Sequence, residues 1–250
     1  MHWVAAFSCL PFWRGWLLAA CLFSGTVNAN VVIATTRVIY PAEEAEVTVS
    51  LSNSGQHPSL VQVWIDDGRA DVPVEQLQVP FSLTPALFRL EPGKGQALRL
   101  FQGLHDFAQD RESLYWLNVL DIPPKGQGNA LQVAVRSRIK LLYRPHGLAG
   151  NAQQAPQALT WRLLKRDNAW MLEARNPSRF YVNLAELSVH LNGREYEATS
   201  SHIAPLSTGL FALPGLDRAE GPSATVHFAS VNDYGAVLPA QQPAEVVRRH

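Results

Sequence analysis

Cysteine is nearly absent. The chain of 250 residues has two, Cys9 and Cys21, and both fall within the first 29 positions. Thiol nucleophiles, thiolate zinc sites and disulfides are therefore excluded from everything that follows. Charge of one sign is lacking too, with 21 Lys+Arg against 21 Asp+Glu. No basic surplus points to nucleic acid, and no acidic tail points to a cationic partner. After position 29 no apolar run approaches the roughly 18 residues that cross a bilayer as a helix. What is present is 47% apolar and 17% charged residues, with 16 Gly and 17 Pro. That balance excludes disorder, collagen-like repeats and coiled coil, and it supplies material for one or two real cores.

Motifs of enzyme chemistry are also missing. There is no GxSxG elbow, no HExxH and no phosphate loop, and Gly126-Gln127-Gly128 lacks the third glycine of a dinucleotide fingerprint. Histidines after position 29 (His57, His105, His146, His190, His202, His227 and His250) are scattered singly. A metal site from His202 and His227 would need the fold to join them, whereas solvated or hydrogen-bonded structural histidines need nothing. The expectation is a protein with no catalytic residue, metal, cofactor or small-molecule substrate.

The first 29 residues differ from the rest. Arg14 precedes the apolar stretch Gly15–Gly25, and Val27-Asn28-Ala29 ends it with a small residue at the break. This pattern reads as a cleavable export signal, residues 1–29, so the mature chain is expected to be exported. Leu18-Ala19-Ala20-Cys21 offers a competing lipoprotein box, but it leaves only six residues between Arg14 and the cysteine.

From Asn30 onward short strands alternate with turn residues. In Glu46–Asn53 the residues Val47, Val49 and Leu51 share one face; Leu60–Asp66 and Gln96–Gln102 are similar, with Asn53-Ser54-Gly55 and Pro92-Gly93 as punctuation. Residues 144–156, Arg-Pro-His-Gly-Leu-Ala-Gly-Asn-Ala-Gln-Gln-Ala-Pro, read as a linker. Strand patterns resume at Leu159–Leu163, Trp170–Ala174, Phe180–Leu184 and Ala224–Phe228, while the pattern after Pro239 is poor. An all-β chain of two antiparallel sandwiches, 30–145 and 146–250, is expected.

Two cations stand in strand-like, apolar surroundings: Arg37 before Val38-Ile39-Tyr40, and Lys140 within Ile139–Tyr143. Snorkelling to solvent from a strand edge is the ordinary fate of either one. Their surroundings carry more. The run from Phe107 to Pro124, containing Glu112-Ser113-Leu114-Tyr115-Trp116-Leu117-Asn118, strongly resembles the signature of the periplasmic pilus-assembly chaperones. Thr36–Tyr40, Phe88–Gly93, Arg138–Pro145, Asn176–Val182 and Asn232–Gly235 match that family in order. The resemblance spans the mature chain.

It implies a periplasmic protein of two immunoglobulin-like domains set as an L around a cleft, which works by donating a strand to its partner. It implies that Arg37 and Lys140 grip the C-terminal carboxylate of an incoming pilin subunit, an Arg fork beside a Lys point charge. It further implies that Leu131, Val133 and Val135, alternating on the run into Lys140, plug the groove left by the subunit's missing strand. The alternative for these three is an ordinary strand facing its own core. Glu112, Arg144 and Asp233 match an internal ion-pair network between the domains. The implied partners are fimbrial subunits and an outer-membrane usher, with self-association through the exposed edge strand as a further outcome. The segment 125–130 is short, which resembles the branch that builds rod-like fimbriae. Ala236 stands where the family commonly has glycine. A secreted fimbrial subunit or adhesin-like sandwich is the rival reading, since it shares export and sandwich; it would show one domain and usually a cysteine pair.

Overall fold

The computed structural model describes residues 30–103, 107–125, 132–167, 169–219, 221 and 223–247. Among these the chain is built from strands, with two short 3-10 turns at Val74–Gln76 and Ala155–Ala158. The strands divide between two hydrophobic cores: members of the first run from Val31 to Tyr143, members of the second from Ala155 to Val246.

The first core lies between two sheets. One orders β1 (Val31–Ile33), β3 (Val47–Asn53), β7 (Gly95–Gln102) and β5 (Phe81–Thr84); the other orders β2 (Arg37–Pro41), β9 (Val135–Arg144), β8 (Ser113–Ile122), β4 (Ser59–Asp66) and β6 (Leu87–Leu90). Alternation of apolar residues makes each strand one-sided. In β3, Val49 and Leu51 are buried while Thr48, Ser50 and Ser52 are exposed. The chain changes sheet between β1 and β2, so β1 pairs with β3 and β2 lies parallel to β9. With no disulfide to tie the layers, an aromatic cluster fills the space beneath β2 and β9. Phe107 stacks on Tyr143 with centroids 3.7 Å apart, and Tyr40 and Phe81 pack beside them.

The second core is enclosed by eight strands, β10 (Thr160–Arg166), β11 (Ala169–Asn176), β12 (Val182–Leu191), β13 (Arg194–Glu197), β14 (His202–Ile203), β15 (Ser207–Ala212), β16 (Ser223–Val231) and β17 (Val237–Val247). They run β13-β12-β16-β17-β10-β11-β15, with β14 on β12. Strand β17 joins the two layers by pairing antiparallel with β16 along its length and parallel with β10 over Ala244–Val247. The weak pattern after Pro239 thus conceals an 11-residue strand. Residues 237–243 have a neighbour on one side only, and such an edge tolerates Pro239 and Pro243, which have no N–H to give.

The run expected to start at Leu131 becomes a strand only at Val135. Its antiparallel partner β8 ends at Ile122, and the next two residues, Pro123 and Pro124, cannot donate to a ladder. Val133 is exposed, and Leu131 with residues 126–130 of the short loop lies outside the described residues, as do residues 1–29.

Candidate functional site

Parallel pairing of β2 with β9 sets Arg37 directly opposite Lys140, and continues to Pro41 opposite Arg144. The two cations that lie 103 positions apart in sequence therefore share one register line. Each reaches across to the second domain. Arg37 Nη1 donates to the Val231 carbonyl at 2.9 Å, and Lys140 Nζ donates to Asn183 Oδ1 at 2.6 Å. Arg37 Nε is buried and has no partner among the described residues. An unpaired buried donor is costly to leave unmade, so this atom marks a place where an acceptor is wanted.

The electrostatics agree. Burial, and then the positive charge of Arg37, push the Lys140 ammonium down to about 8. Burial lowers Arg37 as well, opposed by Asp233. Trp116 lies under both Arg138, at 4.1 Å from the ring centroid, and Lys140, at 5.7 Å. No carboxylate is bonded to Arg37 or Lys140 among the described residues, so the pair forms a half-buried positive site without a counter-ion.

A few residues further along β9, Arg144 gathers the two matched acids, Glu112 and Asp233. Its Nε meets Glu112 Oε1 at 2.7 Å, and its Nη1 and Nη2 meet Asp233 at 2.9 and 3.1 Å. Glu112 is buried, and its second oxygen accepts from the Tyr181 backbone N–H at 2.7 Å. Burial raises the Glu112 carboxyl above the usual range, against the pull of Arg144. Burial alone would lower Arg144, but the Asp233 hydrogen bonds and the charge of Glu112 outweigh it and keep the guanidinium charged. Two bonds to backbone carbonyls finish the junction: the Glu112 N–H donates to the Arg179 carbonyl at 3.0 Å, and the Arg179 side-chain Nη1 to the Asp110 carbonyl at 2.7 Å.

Strand β9 supplies the third feature. Over Lys140–Tyr143 it is flanked by β8 and β2, but over Val135–Ile139 it pairs, among the described residues, with β8 alone. Among the described residues its other edge has no partner there, and Val133 just before it is about half exposed, at 53%.

The histidine pair considered from sequence does not form. His202 pairs with Asn183 and His227 with Ser188, five residues apart on β12, or about 17 Å. His227 instead stacks on His190, centroids 4.3 Å apart. Asn183, Val231 and Tyr181 were not singled out from sequence. Asn183 is a buried amide between the buried Val182 and Leu184, a signal present at that position but silent about its partner.

Comparison with known proteins follows the same division of the chain. Residues 30–149 match the family described as pili and flagellar-assembly chaperone, PapD N-terminal domain, and residues 154–242 match the pili assembly chaperone PapD C-terminal domain. The chaperone protein FimB/FhaD of Bordetella pertussis is 46% identical over 223 residues, covering 86% of this chain and 88% of the relative. The crystal structure of the YadV chaperone, a probable fimbrial chaperone of Escherichia coli, superposes with a TM-score of 0.75 at 36% identity, covering 86% of this chain and all of the other. The SafB chaperone of Salmonella enterica, solved in complex with the SafA pilin, gives 0.71 at 28% identity over 87% of this chain and 98% of that one.

Proposed function

Because the chain belongs to the pili-assembly chaperone family, we propose that it captures fimbrial subunits in the periplasm and hands them to an outer-membrane usher. The rival reading as a structural fimbrial subunit falls with that membership. The 1–29 segment would direct export, and the mature protein would act by binding alone, without a catalysed reaction.

One observation carries the mechanism: two cations, side by side and without a counter-ion, lie at the inner end of an open strand edge. A chain-terminal carboxylate suits the cations, because Arg offers a planar fork and Lys a movable point charge. The segment preceding that carboxylate would then run along β9, where the free N–H and C=O groups of Val135–Ile139 complete its sheet. Val133 and Val135, with Leu131 before them, would place alternate side chains in the subunit's groove. Glu112, Arg144 and Asp233 have a different task, since they bond to one another across the junction and so fix the relative setting of the two domains. We divide the domains at the 144–156 linker, where neither core has a member between Tyr143 and Ala155.

Co-expression with the fimbrial subunit from the same cluster of reading frames, followed by pull-down, tests the reading. Arg37→Ala and Lys140→Ala each leave the free protein folded and reduce captured subunit by at least about tenfold, since each removes a charge-assisted donor from a desolvated carboxylate. Wild-type yield from the Lys140 variant would sink the mechanism.

A further inference from the structure

The second domain contributes more to this site than a wall. An ammonium group has three hydrogens to donate and nothing with which to accept. The bond from Lys140 to Asn183 therefore fixes the orientation of the Asn183 amide: the oxygen faces Lys140, and Nδ2 is turned away from it. Among the described residues Nδ2 donates to nothing. Asn183 is buried, with 6% of its surface exposed, and its backbone is held by pairing with His202 in β14. An amide donor in so fixed a position beside two unneutralised cations is aimed at an anion or left unused.

Arg37 is constrained in a complementary way. Its Nη1 is committed to the Val231 carbonyl, which leaves Nε and Nη2, the side edge of the guanidinium, for a ligand. A carboxylate offers about four lone-pair sites. Two would be taken by the Arg37 edge and one by a remaining Lys140 hydrogen, and the fourth matches Asn183 Nδ2. We propose that Asn183 is a third binding residue of the carboxylate site, holding Lys140 through its oxygen and donating to the subunit's terminal carboxylate through its nitrogen. This rests on the reading of Arg37 and Lys140 as carboxylate anchors. It makes the site complete only when the second domain is docked, so the Arg144 junction would govern affinity without touching the ligand.

The charges around the site allow a neutral donor to matter. Arg37 on β2 is the cation beside Lys140, Asp233 acts on Arg37 and is occupied by Arg144, and Trp116 on β8 is neutral. His202 on β14 is pushed down to about 4 by burial and by Lys140, so it is uncharged at neutral pH. Among the described residues no second-domain cation faces the site in place of the amide.

The test uses sodium acetate as the smallest carboxylate, acetamide as its uncharged counterpart, and sodium chloride to hold ionic strength constant. Binding to the full mature protein is followed by NMR of the side-chain ammonium of Lys140 and the amide of Asn183. Wild type shows a saturable response to acetate and none to acetamide. Asn183→Asp has the same shape and still accepts from Lys140, but lacks the donor and adds a like charge; acetate affinity falls at least about tenfold. Asn183→Leu, which keeps the volume and removes both bonds, gives a fall of about fivefold to tenfold and covers the case that the aspartate variant misfolds. Acetate affinity unchanged in both variants, with Arg37→Ala abolishing it, overturns the role of Asn183 alone. Affinity unchanged in Arg37→Ala as well, or no saturable response in wild type, overturns the anchor reading beneath it.

Discussion

The two halves of β9 are continuous in backbone and opposite in circumstance. Lys140–Tyr143 lies between two strands, and the next residue, Arg144, is locked by three hydrogen bonds to acidic side chains at the junction. Val135–Ile139 has one neighbour, and the approach to it at Val133 is open. An open apolar edge is a hazard in most proteins, and natural ones cover or charge it. Here the inner half is what makes the outer half usable: it fixes where the edge begins and places the two cations at that point. A strand that was mobile at both ends could not set the register of an incoming segment, and one paired on both sides could not receive it.

The comparison breaks most severely at Arg144. Arg144→Ala leaves Glu112, whose side chain is 1% exposed, without its cation, and frees Asp233. Stranding a buried carboxylate costs about 3–5 kcal/mol. Denaturant unfolding should show a loss of that order, and small-angle scattering a broader distribution of domain settings. Arg144→Lys recovers only part, because one ammonium cannot serve Glu112 and Asp233 with the same fork. If Arg144→Ala melts with the wild type, the junction does not hold the inner half.

The outer half should respond in the opposite manner. Val133→Glu touches no core, so the free protein should keep its stability within about 0.5 kcal/mol. Subunit capture should fall about tenfold or more, because the carboxylate would be buried without a partner in the subunit groove. Pull-down beside a thermal melt separates the two effects. A variant that loses stability instead would show that Val133 belongs to its own core and that the edge is misassigned.

How far these features could be read without coordinates depended on whether the cause was local. Alternation in Glu46–Asn53 placed Val49 and Leu51 inward because a strand's period is a property of consecutive residues. The family motifs likewise carried Arg37, Lys140, Glu112, Arg144 and Asp233, which the fold then brings into two groups. Strand β17 was illegible because its two prolines break the local pattern, and only the absence of a neighbour over 237–243 makes them tolerable. Asn183 was illegible for a different reason. Val182-Asn183-Leu184 looks like a strand interrupted by a polar residue, and its partner Lys140 lies 43 positions away in the other domain. Strand β9 begins at Val135, later than the alternation from Leu131 suggests, because the period of Val133 and Val135 is silent about where the partner strand β8 ends.

The smallest effect is the one that sharpens the boundary between the halves, since Lys140 stands on it. Its ammonium titrates at about 8 in the free protein, lowered by burial first and Arg37 second. A bound carboxylate favours the charged form, so the complex holds that proton to higher pH than the free chaperone does. Capture is therefore nearly constant below about pH 7 and weakens as pH rises through about 8, by about tenfold between pH 7 and 9, as the free protein gives up a proton the complex needs. Neighbouring groups leave that window clear: His202 is already neutral, and Tyr40, Tyr115 and Tyr143 are each raised above the usual tyrosine value, with burial as the leading cause. Lys140→Arg provides the control, because a guanidinium stays charged throughout. Its capture is weaker in absolute terms through altered geometry, but its profile is flat from pH 7 to 9. A wild-type profile that is equally flat would mean that the Lys140 charge does not face the subunit, and that the inner end of β9 anchors the strand without anchoring its ligand.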